Sequence, residues 1–405
     1  MMAHQPTQPT DEPVDRPAVP SPSAAPSPST GASTPAPPEA AEGQDWDPLA
    51  AQRTPADPPL DVLLSGTVFF DIVFTGMDRL PQPGEELWSK GMGSSPGGIA
   101  NLATAAARLG LRTGLVAGFG DDAYADWMWH TMAHEEGIDL TASRRFADFH
   151  SALTVSIAAE GDRAMVTHGH ELPEPLSSLI AGAPAARAAV VDLAGETSWW
   201  AQLAQRGSLI FADIGFDETG RWDVADLAPL THCHAFTPNA LEAMAYTRTD
   251  SPDQAVRALA EKVPLAVVTD GAHGSYAIDS TTGEEAYCPA VPVTAIDTTG
   301  AGDVFAAAIV LGTLAGWPLE ERLKFSSLCS ALAVQQFGGS LAAPGWGDLM
   351  DWWHSLTAAA DGGDLRAAYT RGGYRFLEAI VPDHPVQGRR RAQGTFALGS
   401  DAGRH

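Results

Sequence analysis

Cationic side chains are scarce in this chain of 405 residues, where 24 Lys and Arg stand against 50 Asp and Glu and leave a net charge of −26. Neutralising phosphates takes clustered cations, so this balance argues against a nucleic-acid partner and equally against docking on an anionic membrane. Long apolar runs are missing too: a spanning helix needs roughly 18 to 20 such residues, and the best stretch, Val304 to Leu314, is much shorter. Cysteine is sparse, with Cys233, Cys288 and Cys329 odd in number and widely spaced, which excludes a disulfide framework. The opening MMAHQPTQPTDEP has neither the positive start nor the apolar stretch of a secretory signal. The expectation is a soluble protein of a reducing cytoplasm.

What is abundant is unevenly placed. Of the 31 prolines, 15 fall in residues 1–59, among Ser, Thr and Ala and without any hydrophobic period. A segment of that composition cannot bury enough surface to offset its ordering entropy, so it reads as a disordered tail. The folded domain is expected over 60–357, and 358–405 as an extension that is partly helical and then disordered. Arg389 to Arg391 reads as a solvated cluster.

Within 60–357, short apolar runs alternate with helical periods. Residues 61–66, 114–120, 188–195, 208–215, 233–239 and 265–271 read as strands, several of them apolar on both faces, as in a sheet covered on both sides. Ile99, Leu102, Ala103, Ala106 and Leu109 recur at helical spacing, and Leu241–Tyr246 and Ala255–Val263 suit short helices. Alternating βα units imply an α/β fold, a three-layer α-β-α sandwich around a mostly parallel sheet. Leu153, Val155 and Ile157 alternate with polar residues ahead of an AEGDR turn, the mark of a half-exposed hairpin. With FFDIVFTG and EELWSKG it is expected to form a small β lid, from parts of 68–95 and 150–170.

The chemistry concentrates in AIDTTGAGDVFAAAIVLG, residues 295–312. Gly300, Ala301 and Gly302 precede Asp303 at the start of an apolar helix, where backbone N–H groups approach a ligand and the dipole favours an anion. A hydroxyl beside a phosphoryl group needs an acceptor for its proton, and Asp303 has the type and place for it. The alternative is that Asp297 and Asp303 cap the helix and the glycines form a tight turn. An Asp at a helix N-terminus is expected to have a low pKa.

DTTGAGD followed by an apolar helix resembles the C-terminal signature of the ribokinase-like, PfkB-type family of carbohydrate and nucleoside kinases. A second signature, Gly97-Gly98-Ile99-Ala100-Asn101-Leu102-Ala103 with Gly110 and Gly120 beyond, lies about 200 residues earlier, in the family's order. Asn239-Ala240-Leu241-Glu242 looks like the family's Asn-x-x-Glu element, and residues 269–274 like its nucleotide loop. The resemblance covers roughly 60–357. It implies an ATP- and Mg²⁺-dependent kinase in which Asp303 is the base and the amides of Gly300 to Asp303 form the anion hole. Asp71, Gly97, Gly98 and Asn101 would bind the acceptor's hydroxyls. Asn239, Glu242, Thr269, Gly271 and Gly274 would serve the nucleotide, with Asn239 and Glu242 organising Mg²⁺ through water and the segment from Ser326 to Gly339 closing the adenine side. Asp297 and Thr299 would offer oxygens to a monovalent cation such as K⁺.

Two departures bear on the acceptor. Ile99 stands where the signature has a small residue, and Phe69 occupies a position often polar in sugar-specific members. A small sugar is the expected acceptor. A nucleoside is the nearest rival, with Phe69, Phe70 and Trp88 as stacking surface, and a non-catalytic sugar or nucleotide sensor is a rival of another class. Exposed edges of the lid would let a second subunit pair, as in some relatives. His168 and His170 could reach the acceptor or sit in a solvated loop, and HTMAHEE, with His130 and His134, lacks the Glu of a zinc protease helix.

Overall fold

The computed structural model describes residues 46–159, 162–193, 198–215, 217, 219–384 and 386. Their strands are β1 (Leu60–Ser65), β2 (Val68–Met77), β3 (Gly91–Gly98), β4 (Thr113–Val116), β5 (Gly118–Phe119), β6 (Arg144–Arg145), β7 (Ala152–Ala159) and β8 (Asp162–His168). After these come β9 (Ala186–Asp192), β10 (Leu209–Asp213), β11 (Ala235–Phe236), β12 (Leu265–Thr269), β13 (Ser275–Asp279) and β14 (Glu284–Cys288). The large sheet has the order β14-β13-β12-β11-β10-β9-β1-β4. Its strands from β4 to β12 are parallel, and β13 and β14 extend it as an antiparallel edge.

Alternate residues of each parallel strand enter different cores, which makes the molecule three-layered. Val62, Leu64, Val190, Phe211 and Val267 pack with Leu102, Ile309, Leu323 and Leu349 from the helices Ile99–Arg108, Ala301–Leu314, Leu319–Ala333 and Trp346–Asp361. Their neighbours Val191, Ile210, Ala212 and Val268 pack with Trp200, Ala243 and Val256 from the helices Ser198–Gln205, Ala240–Thr247 and Pro252–Ala260. Strands buried on both faces read as continuous apolar runs, which is why their sequences lack alternation. The helix Ala301–Leu314 is apolar all round because Val304 to Gly312 are all buried.

The second sheet, β3-β2-β7-β8, joins β2 to β3 and β7 to β8 antiparallel and β2 to β7 parallel. Its outer strand differs from expectation: EELWSKG is not a strand, and GMGSSPGG is. Trp88 is 90% exposed, so nothing holds that stretch to the sheet. Pro96 is accommodated because β3 is an edge. The packed chain also begins earlier than Leu60. Leu49 is fully buried in the first core, and Trp46 meets the rings of Trp346 and His384 at 6.4 and 5.7 Å. Two large apolar residues among prolines and acids are too few to show a period. Residues 1–45 and the Arg389–Arg391 cluster lie outside the described residues. At the other end Tyr374 and Leu377 are buried in the first core, beyond the helix Leu365–Gly373.

Candidate active site

The helix Ala301–Leu314 starts at Gly300, which is in the left-handed region at φ +74, and no side chain caps it. This removes the capping reading of Asp297 and Asp303. The first N–H groups of an uncapped helix lack intrahelical acceptors and attract an anion. A Cβ added at Gly302 would meet nothing within 4 Å, so the space before these amides is open. Asp303, half-buried in the first turn, accepts a 3.2 Å hydrogen bond from Asn101 Nδ2, a residue 202 positions away. Asn101 is buried, and its Oδ1 has no donor.

Burial pushes the Asp303 carboxyl up to about 6, against a smaller lowering by the Asn101 amide. The low value expected from the helix dipole is therefore corrected: desolvation of the half-buried group beside Asn101 outweighs it. Gly339 has φ +39, and a Cβ there would come within 2.7 Å of Asn101 Oδ1. Gly300 packs on the same turn, at 3.4 Å from Gly339 Cα for an added Cβ. Asp297 ties this corner together, its Oδ1 accepting from Thr299 N and Oγ1 at 2.9 and 2.6 Å and its Oδ2 from Gly338 N at 3.2 Å.

Asp71 projects from β2 onto Gly97, where an added Cβ would overlap its carboxylate. Gly98, at φ +61, receives the Phe69 ring and Thr67 carbonyl just as closely. The Asp71 carboxyl is raised to about 7 by burial and by the charge of Asp297. Opposite Asp71 on β3 lies Ser95, whose buried hydroxyl has no partner. Register places Thr154 and Thr167 beside Asp71 on one face, their hydroxyls 3.1 Å apart. Phe70, Leu153 and His168 share the other face, so His168 points away from Asp71. Phe70 stacks on Tyr124 and Trp127 at 4.6 and 5.4 Å, in the core.

The other group of expected residues sits at the carboxyl ends of β11 and β12. Asn239 and Glu242 form a reciprocal capping box, each backbone N–H donating to the other's side chain at 3.0 Å. Burial raises Glu242. Thr269 is bridged to Asn239, and Thr269 N donates to Pro238 O at 3.2 Å. Gly271 borders open space, whereas an added Cβ at Gly274, at φ +106, would overlap the Cys288 carbonyl. Gly274 is thus required by packing. In the segment expected to close the adenine side, Ser326 is fully buried, its Oγ donating to Arg322 O, while Gly339 reaches Asn101.

Sequence reasoning missed Asp192 and Asp213, register-paired at the carboxyl ends of β9 and β10. Surrounding protein together with the charges of Glu242, Asp303 and Asp192 raises the Asp213 carboxyl. The available signal was two apolar runs, AAVVD and LIFAD, each ending on Asp at the sheet edge where α/β folds bind ligands. A carboxyl raised by the charges of its neighbours, as Asp213 is, fits a hard divalent cation. Among the described residues no three His, Cys, Asp or Glu side chains converge closely enough to hold a metal alone.

A model of the pfkB family carbohydrate kinases matches residues 78–345. A fructokinase of Klebsiella pneumoniae is 31% identical over 281 residues, 63% of this chain and 90% of the fructokinase. A ribokinase of Bacillus subtilis is 26% identical over 303 residues, 70% of this chain and 96% of its own. The solved structure of Arabidopsis thaliana ribokinase complexed with ribose and ATP superimposes with a TM-score of 0.60 at 23% identity, covering 71% of this chain and 96% of that one.

Proposed function

The chain belongs to the PfkB family of carbohydrate kinases and is an ATP-dependent carbohydrate kinase, and from that premise we propose that it transfers the γ-phosphoryl group of ATP to a hydroxyl of a small sugar, with Asp303 as the base. The observation that carries this reading is the Asn101–Asp303 hydrogen bond beside an uncapped helix N-terminus. In it Asp71, Asn101 and the backbone of Gly97 and Gly98 hold the acceptor's hydroxyls. Asp303, ionised at neutral pH with a pKa of about 6, is basic enough to take the proton as the new O–P bond forms. The amides from Gly300 to Asp303 receive the charge on the phosphoryl oxygens, the electrostatic part of phosphoryl transfer.

Mg²⁺, when bound with the nucleotide, neutralises phosphate charge. Glu242 and Asp213 would hold it, largely through water, while Asn239 fixes Glu242 in its box. Thr269 and Gly271 would border the nucleotide. A K⁺ ion would draw on the Asp297 and Thr299 oxygens, which now hydrogen-bond within their own corner. Pairing of two copies would use the edge strands β3 and β8, where Met92, Met165 and Val166 are exposed. The three buried free cysteines suit the cytoplasm.

A sugar is favoured over a nucleoside because the stacking surface a base would need is dispersed. Phe70 is in the core, Trp88 is in solvent, and Phe69 is pressed on Gly98. The test is ADP release with MgATP and a panel of pentoses, hexoses, keto-sugar acids and nucleosides, for wild type and Asp303→Asn. Turnover of one sugar, lost in the variant, is expected. Nucleoside turnover would move the acceptor to the rival class. Ligand binding without ADP formation across the panel would favour the sensor.

A further inference from the structure

A cavity of about 790 Å³ lies at the amino ends of β1, β9 and β10. Its size is that of a small-molecule site. One wall is the helix Ser198–Gln205, whose Trp199, Gln202 and Leu203 line it, with Arg206 one residue past the helix end. Positions spaced i, i+3, i+4 and i+7 share one helical face, so the whole face is turned to the cavity. Facing it across the cavity is Arg187, near the start of β9.

Arg187 belongs to a cluster of Arg53, Arg112 and Arg187 with the carboxylates Asp47, Asp57 and Asp61. Asp61 is fully buried and already receives hydrogen bonds from Arg53 at its Oδ1 and from Arg112 at both oxygens. Arg187 Nη1 is left 3.8 Å from Asp61 Oδ1, beyond hydrogen-bond range, and this buried donor has no acceptor. Its Nη2 donates to Leu314 O at 3.2 Å, and about a fifth of the side chain (21%) remains accessible. Arg206 is exposed and forms no ion pair with a described residue. Two guanidiniums lining one cavity, Arg187 and Arg206, stand out in a chain of net charge −26. Trp199, Leu203 and Ile180 supply an apolar wall between them.

We propose that this cavity binds a small molecule carrying one carboxylate or phosphate on a planar apolar body, the acid held between Arg187 and Arg206 and the body laid on Trp199. Guanidinium forks match both anions, and a planar body suits an indole face. The site is distinct from the catalytic cleft, which lies at the carboxyl ends of the same strands.

The test is calorimetric titration of the full chain with phenyl phosphate, benzoate and inorganic phosphate, in saturating MgADP to keep the cleft filled. Single-site binding of phenyl phosphate or benzoate is expected, tighter than inorganic phosphate because of the apolar wall, and about tenfold weaker in Arg206→Ala. Which of the two binds better distinguishes phosphate from carboxylate. Arg187→Gln should weaken binding similarly, but since Arg187 is packed beside Asp61, the exposed Arg206 carries the test if that variant misfolds. MgADP affinity should be the same in Arg206→Ala and wild type. Absence of saturable binding by any probe at millimolar concentration, or equal affinity in Arg206→Ala, overturns the proposal.

Discussion

Two helix N-termini face the cleft, and they are finished in opposite ways. The helix Ala240–Thr247 is closed by the reciprocal Asn239–Glu242 box, so its own side chains occupy its first amides. The helix Ala301–Leu314 opens on Gly300 with no side-chain cap and with open space over Gly302. A satisfied end positions a carboxylate; an unsatisfied end positions a charge deficit. Only the second is available to stabilise oxygens whose negative charge grows during transfer. In the proposed mechanism the two ends divide the work, one fixing an acidic group for a cation and the other receiving the phosphoryl group.

The sharpest way to break this division is Asp303→Asn. It keeps the shape and the Asn101 contact while removing the proposed base, and kcat should fall by about 10² to 10⁴ with ATP affinity retained. Preserved kcat would mean that the proton leaves by another route. Gly302→Ala attacks the same end without touching the carboxylate. The added methyl meets no protein atom, and replacing Gly by Ala in a helix is worth about 0.5 to 1 kcal/mol of stability. A higher Tm combined with roughly a tenfold loss of kcat, near 1.4 kcal/mol of transition-state stabilisation, is expected. Unchanged kcat would show that the open amides hold nothing. At the capped end, Glu242→Gln retains an oxygen to accept from Asn239 N–H, so stability should hold. The apparent Mg²⁺ requirement should rise about tenfold, read from ADP release against Mg²⁺ concentration.

How much of this was legible in the sequence follows from how local each cause is. The parallel strands were readable because burial on both faces writes itself into runs such as AAVV and LIFA. The strand β3 was not, since GMGSSPGG has little strand propensity and exists by pairing with β2. The glycine-led start of the helix Ala301–Leu314 was legible from its motif, whereas the placing of Asp213 was not, because a single Asp after an apolar run carries no motif. Asp303 is the most instructive case. Its place at a helix start is local, but its raised pKa comes from burial in the fold, where its hydrogen-bond partner Asn101 is 202 residues away. The packed Trp46–Leu49 segment was hidden for the same reason: its partners Trp346 and His384 are distant in sequence.

The smallest effect concerns pH, and it separates the base from the binding carboxylate. With Asp303 as the proposed base, transfer needs it ionised, so kcat for the identified acceptor should fall as pH drops through about 6. Asp71, raised to about 7, binds its proton more tightly when folded than when unfolded. The sign for stability is therefore opposite to that of a salt-bridged carboxylate. Its contribution is present at low pH and is lost as pH rises from about 4 to about 7. Asp71→Asn removes this titration, so it should gain stability relative to wild type as pH rises across that window, by on the order of 1 kcal/mol given its partial exposure. Denaturant melts of both proteins at pH 5 and pH 8 read the difference directly. A stability gap independent of pH would mean that Asp71 is solvated more freely than its seat on Gly97 implies, and it would leave acceptor binding to Asn101 and the backbone.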